Sequence, residues 1–118
     1  MSYKFQAYRG DTVPFDITVT LSGAAYDLTG STLFFTLKRK AAALDAAALI
    51  SKQTGSGIAI VSAPAGTARL VLSPTDTAAP PLNVELYFDL QLKTSSGDIY
   101  TIATGEITFL QDITLRTA

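Results

Sequence analysis

Ten carboxylates, nine basic side chains and no histidine or cysteine set the chemistry open to this 118-residue chain. Without cysteine there is no thiolate nucleophile, no thiolate zinc ligand and no disulfide. Without histidine the commonest general base and the commonest metal ligand are missing. Acid–base work would therefore fall to carboxylates. Asp16, Glu85 and Asp89 are the candidates, each on a segment with strand periodicity and each on its polar side. Glu85 and Asp89 are four residues apart on one strand, about 13 Å at strand rise. That is too far for a paired site on the strand itself, and solvated surface charge accounts for all three.

Nucleophilic and ligand-binding motifs fare no better. Ser22, Ser31, Ser51, Ser56, Ser62, Ser73, Ser95 and Ser96 sit in turn-like or strand-end contexts, with only lysine available as a common base. The glycine-rich TGSG at 54–57 lacks the lysine and the length of a phosphate loop. Calcium wants several oxygens in one loop, whereas SSGDIY and LQDIT bring one carboxylate each. Arg9-Gly10-Asp11 spells the integrin tripeptide, but its simpler role is a turn between an extended segment and the strand starting at Val13. No enzyme, no metal site and no cofactor are expected.

The elements that would position a surface are clearer. In VPFDITVTL (13–21), Val13, Phe15, Ile17, Val19 and Leu21 alternate with polar residues and predict a strand with one buried face. Pro14 has no N–H and predicts a sheet edge. SGAAYDLTG turns the chain, and Leu33, Phe35 and Leu37 form the next inward row, with Phe34 outward. Residues 39–51 are alanine-rich and predict a loop with a helical turn, then a short strand near 49–52. Short strands follow at 58–61 and 67–72, the latter with Ala68, Leu70 and Leu72 inward. Ser73, Pro74 and Asp76 carry the signals of a capped helical turn, stopped by Pro80-Pro81. In 84–93, Val84, Leu86, Phe88, Leu90 and Leu92 face in. Residues 99–110 return antiparallel, with Ile107 and Phe109 inward and a bulge at Gly105 resetting the alternation.

Seven or eight short strands with turns between them predict an all-β antiparallel sandwich of one domain, residues 1–118, with a small barrel as the alternative. Hydrophobic residues make up 47% and charged residues 16%, enough apolar material for one core. Net charge is −1, and Lys38-Arg39-Lys40 is too short a run to mark a nucleic-acid surface. The N-terminal residues lack the apolar stretch of a signal peptide, and no run is long enough to insert in a bilayer.

The order of RGDTVPFDITV (9–19), YDLTGSTLFFTLKR (26–39), TGSGIAIVSAPAGTARLVLSPTDTAA (54–79) and YFDLQLKTSSGDIYTIATGEITFLQDIT (87–114) resembles the immunoglobulin-like β-sandwich family of tailed-phage and prophage structural proteins. It is similar to the N-terminal domain of phage baseplate upper proteins. The resemblance implies a virion part, in a tail or baseplate, that is made in the bacterial cytoplasm and works by protein contacts. It transfers no catalytic residue.

In such a sandwich the strand of Phe34 and the 84–93 strand are neighbours in one sheet, with Phe34 and Tyr87 both outward. The 99–110 strand would flank them and add Ile99 or Tyr100. Phe34, Tyr87, Ile99 and Tyr100 are thus the expected protein interface, for a second copy of the chain or another tail or baseplate protein. A carbohydrate- or receptor-binding module on the same fold is the alternative. The absence of tryptophan speaks against an aromatic sugar platform.

Overall fold

A computed structural model describes residues 2–39 and 48–111. Among the described residues ten strands form: β1 (Ser2–Tyr8), β2 (Val13–Thr18), β3 (Thr20–Leu21), β4 (Ala24–Ala25), β5 (Thr32–Lys38), β6 (Ile50–Thr54), β7 (Gly57–Ser62), β8 (Thr67–Leu72), β9 (Glu85–Lys93) and β10 (Ile99–Leu110). One short helix, α1 (Pro74–Ala78), lies between β8 and β9. Eight strands join in the order β1-β10-β9-β5-β6-β7-β8-β2, while β3 and β4 form a separate hairpin. The helical turn expected within 39–51 falls largely on residues outside those described.

The continuous order folds over as two layers. Between β6 and β7 the ladder shrinks to two pairs, Gln53 with Gly57 and Thr54 with Ile58, so the sheet creases there. β1-β10-β9-β5-β6 forms one layer and β7-β8-β2 the other. A turn at residues 9–12 carries the chain from β1 to β2, at opposite ends of the order, and brings the layers together. Phe5 of β1 and Phe15 of β2 meet edge to face, ring centres 5.1 Å apart. Leu33, Leu37, Leu86, Leu92, Ile107 and Phe109 from the first layer bury against Ile58, Ala68, Leu70 and Leu72 from the second. The chain is therefore an all-β sandwich, as expected.

The pairings are not uniformly antiparallel. β1 runs parallel to β10, and the short β6–β7 contact is also parallel. β1 has to be parallel because the 9–12 turn passes it across to the other layer instead of back along its own. Pro14 sits on β2, which ends the sheet, so its missing N–H costs no ladder bond.

Several inward assignments hold and two do not, and one bulge is displaced. Ala68, Leu70 and Leu72 are buried, as are Leu86, Leu90 and Leu92. Leu21 is instead exposed, because β2 ends at Thr18 and the chain leaves the core for the β3–β4 hairpin. Its turn holds Ser22 and Gly23 at φ 53° and 80°, the paired left-handed geometry of a tight two-residue hairpin. Val84 lies before β9 begins and is also exposed. The bulge of β10 falls at Ile102, where the register with β9 shifts between Thr101 and Ala103, and not at Gly105. Gly105 serves a different need. A Cβ there would overlap the Tyr3 carbonyl and come 2.7 Å from the Phe88 ring.

α1 ties both layers and the β1–β2 turn together. The Asp76 N–H donates to Ser73 Oγ at 3.1 Å, and the Ser73 N–H donates to Asp76 Oδ2 at 2.8 Å, a reciprocal capping box. Lys52 Nζ of β6 lies 2.9 Å from the same Asp76 oxygen. Buried Thr77 donates its hydroxyl to the Asp11 carbonyl at 2.8 Å. Burial pushes the Asp76 carboxyl up. The Ser73 N–H, the hydrogen bond from Lys52, the Ser73 side chain and the Lys52 charge outweigh that and hold its pKa below the usual carboxylate range. A lowered folded pKa stabilises the fold above the unfolded value, and that stabilisation is lost as pH falls through the folded one. Asp76→Asn should cost about 1–2 kcal/mol at neutral pH. In urea titrations, the gap between variant and wild type should close progressively below about pH 4. A gap independent of pH would show that the charge of Asp76 contributes nothing.

Candidate protein interface

The outward face of the five-strand layer is set by register. Across β6, β5, β9 and β10, one row runs Gln53, Phe34, Gln91, Thr101. Another runs Lys38, Tyr87, Glu106 and on to Lys4 of β1. A third runs Thr32, Lys93, Ile99. Phe34, Tyr87 and Ile99 therefore share the outer face, as the alternation predicts. Tyr87 and Ile99 are exposed, at 40% and 61%.

Two of the four expected residues need correction. Phe34 is half-buried, not held out to water, because Gln53 and Gln91 flank it on both sides. Long polar side chains on a sheet lay their apolar stems along such a ring. Tyr100 pairs with Leu92, which pairs with Leu33, so it lies on the inner side of the layer. It is nevertheless exposed, at 56%. One bulge between Tyr100 and Ile107 reverses the parity before it, at Gly105 or at Ile102 alike, so Ile99 takes the outer face and Tyr100 the inner one.

The outer residues do not merge into one apolar patch. Phe34 and Tyr87 stand about 14 Å apart from strand spacing and rise, with Thr36 and Asp89 paired between them. The face is polar with isolated apolar side chains. Among its polar groups, Glu106 has one buried carboxylate oxygen, Oε2, with no hydrogen-bond partner among the described residues. Lys4 and Glu85 form an exposed ion pair at 3.6 Å, which contributes little to stability.

The other features weighed in the sequence resolve simply. Asp16 faces Arg69 at 3.9 Å, both exposed. Arg9-Gly10-Asp11 is the β1–β2 turn: the Arg9 N–H donates to the Leu110 carbonyl and the Asp11 N–H to that of Tyr8. All three residues are partly buried, so the tripeptide is no protruding tip. Asp27 closes a turn on Thr29, whose hydroxyl and N–H donate to Oδ1 and lower its pKa. Among the described residues no group of three or more Asp, Glu, His or Cys could hold a metal, and no helix is long and apolar enough to cross a membrane.

Sequence reasoning missed a second feature. A cavity of about 490 Å³ opens between the layers, lined by Phe5, Phe15, Ile17, Phe88, Ile102 and Ala103 among others. It lies where β1 and β2, the two ends of the sheet order, face each other. The small residue Ala103 is its signal in the sequence, but the sequence predicts no strand before Val13, so no second wall is in view.

The strand order defines the class. β10-β9-β5 corresponds to the G-F-C core of one immunoglobulin sheet, and β2-β8-β7 to the B-E-D set of the other. The fold is an immunoglobulin-like β-sandwich. No family model matches the chain, and no curated protein matches it. Among solved structures it is similar to the extracellular portion of mouse CD200RLa, at 12% identity and a TM-score of 0.41. That alignment covers 94% of this chain and 56% of the other, so the chain spans little more than half the length of that structure.

Proposed function

We propose that this chain is a non-catalytic assembly module that works through the outer face of its β1-β10-β9-β5-β6 layer. The observation that carries this is Tyr87 and Ile99, exposed on one ordered sheet face among threonine, glutamine and charged side chains. Interfaces between separately folded proteins have this mixed character, with aromatic anchors inside a polar surround. The setting proposed is a phage or prophage tail or baseplate, supported by the resemblance of the motif order, with a second copy or a neighbouring tail protein as partner.

A specific contact here should bury about 1,200–2,000 Å² in total. The double variant Tyr87→Ser with Ile99→Ser should weaken association tenfold or more, since truncating a central anchor typically costs about 2 kcal/mol. Sedimentation equilibrium, alone and with tail proteins encoded beside this chain, reads the effect. Tyr100→Ser, on the opposite side of the layer, should leave association unchanged. If Tyr100→Ser weakens it and the double variant does not, the outer face is not the interface.

A further inference from the structure

We propose that the cavity between the layers is a binding site for a small, uncharged apolar molecule, aromatic or aliphatic. Its volume of about 490 Å³ falls within the range of ligand sites. Its walls come from both layers. Phe5 stands 5.1 Å from Phe15 and 5.9 Å from Phe88, and Phe88 stands 5.6 Å from Phe35, ring centre to ring centre. These rings form a half-sealed aromatic lining. Phe5, Phe15, Ile17, Phe88, Ile102 and Ala103 pack against the core yet are only partly buried.

The gap has a structural cause. β10 bulges at Ile102, then sets Ala103 opposite Leu90, where a larger side chain would fill the space. Gly105 cannot grow without striking the Tyr3 carbonyl and the Phe88 ring. Facing it, β2 ends at Thr18 and the chain leaves for the β3–β4 hairpin. The core therefore keeps apolar surface in contact with solvent at one place, and a guest that covers it gains the free energy of burial.

Charge narrows the guest. Among the described residues no lysine or arginine lines the cavity. An anionic head entering the cavity would lose water with no cation on the wall to offset the loss, while the Asp16 carboxylate is exposed beside Arg69. Neutral molecules are admitted and fatty-acid-like anions are disfavoured.

Two naphthylamine dyes test this on the full chain. N-phenyl-1-naphthylamine is neutral, and 1-anilinonaphthalene-8-sulfonate carries the same rings with a negative charge. The neutral dye should bind saturably at one per chain, at least tenfold tighter than the sulfonate at low salt. Ala103→Leu, which fills the cavity from β10, should weaken the neutral dye tenfold or more without lowering the melting temperature. Ile17→Phe, filling it from β2, is the second variant should the first misfold. Absence of saturable binding up to the solubility of the neutral dye would overturn the proposal. So would sulfonate binding as tight as neutral binding, or affinity unchanged in folded Ala103→Leu and Ile17→Phe alike.

Discussion

Leu86→Asp should abolish folding, whereas Tyr87→Asp, one residue along the same strand, should leave the domain intact. Leu86 is fully buried and pairs with buried Ile107 on the inner face of the first layer. A carboxylate there has no cation in the core cluster to pair with. Burying it costs several kcal/mol, a large share of the roughly 5–15 kcal/mol that holds a domain of this size together. Removing the leucine adds the lost apolar burial and a cavity, about 2–5 kcal/mol more. Tyr87 points the other way, 40% exposed between Lys38 and Glu106. Asp there meets one neighbour of each sign, so the change stays within about 0.5–1 kcal/mol. Thermal melts followed by circular dichroism should show no cooperative transition for Leu86→Asp and a near-wild-type one for Tyr87→Asp. Similar melts for both would mean that β9 does not present its faces as the pairing requires.

This contrast was available from the sequence because β9 alternates without interruption and both its faces follow from parity. The same holds for β8 and for the capped turn at Ser73, Pro74 and Asp76, where local chemistry suffices. What escaped was decided by tertiary context. β1 carries Tyr3, Phe5 and Ala7 on its inner side, but its parallel pairing with β10 is invisible until the 9–12 turn is known to cross between layers. Leu28 is buried although it sits in the polar DLTG stretch. Its N–H donates to the Ala63 carbonyl, and the Asp27–Thr29 turn around it aims the side chain inward. The interface was half legible for a related reason. Parity gave the face of Phe34, Tyr87 and Ile99, yet the position of a bulge is not a property of parity. Any single bulge between Tyr100 and Ile107 puts Tyr100 on the inner side, so its placing on the outer face did not follow even from a bulge at Gly105. Nor does parity reveal flanking side chains, which is why Phe34 proved half covered.

Gly66→Ala should be among the most damaging single-methyl additions in the chain. Gly66 has φ +70°, and a Cβ on it would lie 2.5 Å from the Val19 carbonyl oxygen and 2.6 Å from that of Tyr26. These oxygens are backbone atoms, and the local network holds the Val19 strand in place. The Val19 N–H donates to the Gly66 carbonyl at 2.8 Å, the Tyr26 N–H donates to the Val19 carbonyl at 2.9 Å, and the Gly66 N–H donates to that of Ala63 at 3.1 Å. The methyl can be accommodated only by pulling the β7–β8 turn away from the β2–β3 junction, which breaks that network. Two costs therefore add. The left-handed backbone disfavours any L-side chain by about 1–2 kcal/mol. Losing the buried backbone hydrogen bonds adds about 1–3 kcal/mol for each group left unpaired. Gly97→Ala separates the two terms, since Gly97 has φ +96° but open space where its Cβ would go. Urea midpoints at constant slope should place Gly97→Ala about 1–2 kcal/mol below wild type and Gly66→Ala about 3 kcal/mol or more below it. Equal losses for the two would show that the β7–β8 turn does not pack against Val19 and Tyr26. The hairpin that diverts the chain beside the cavity would then lack its anchor.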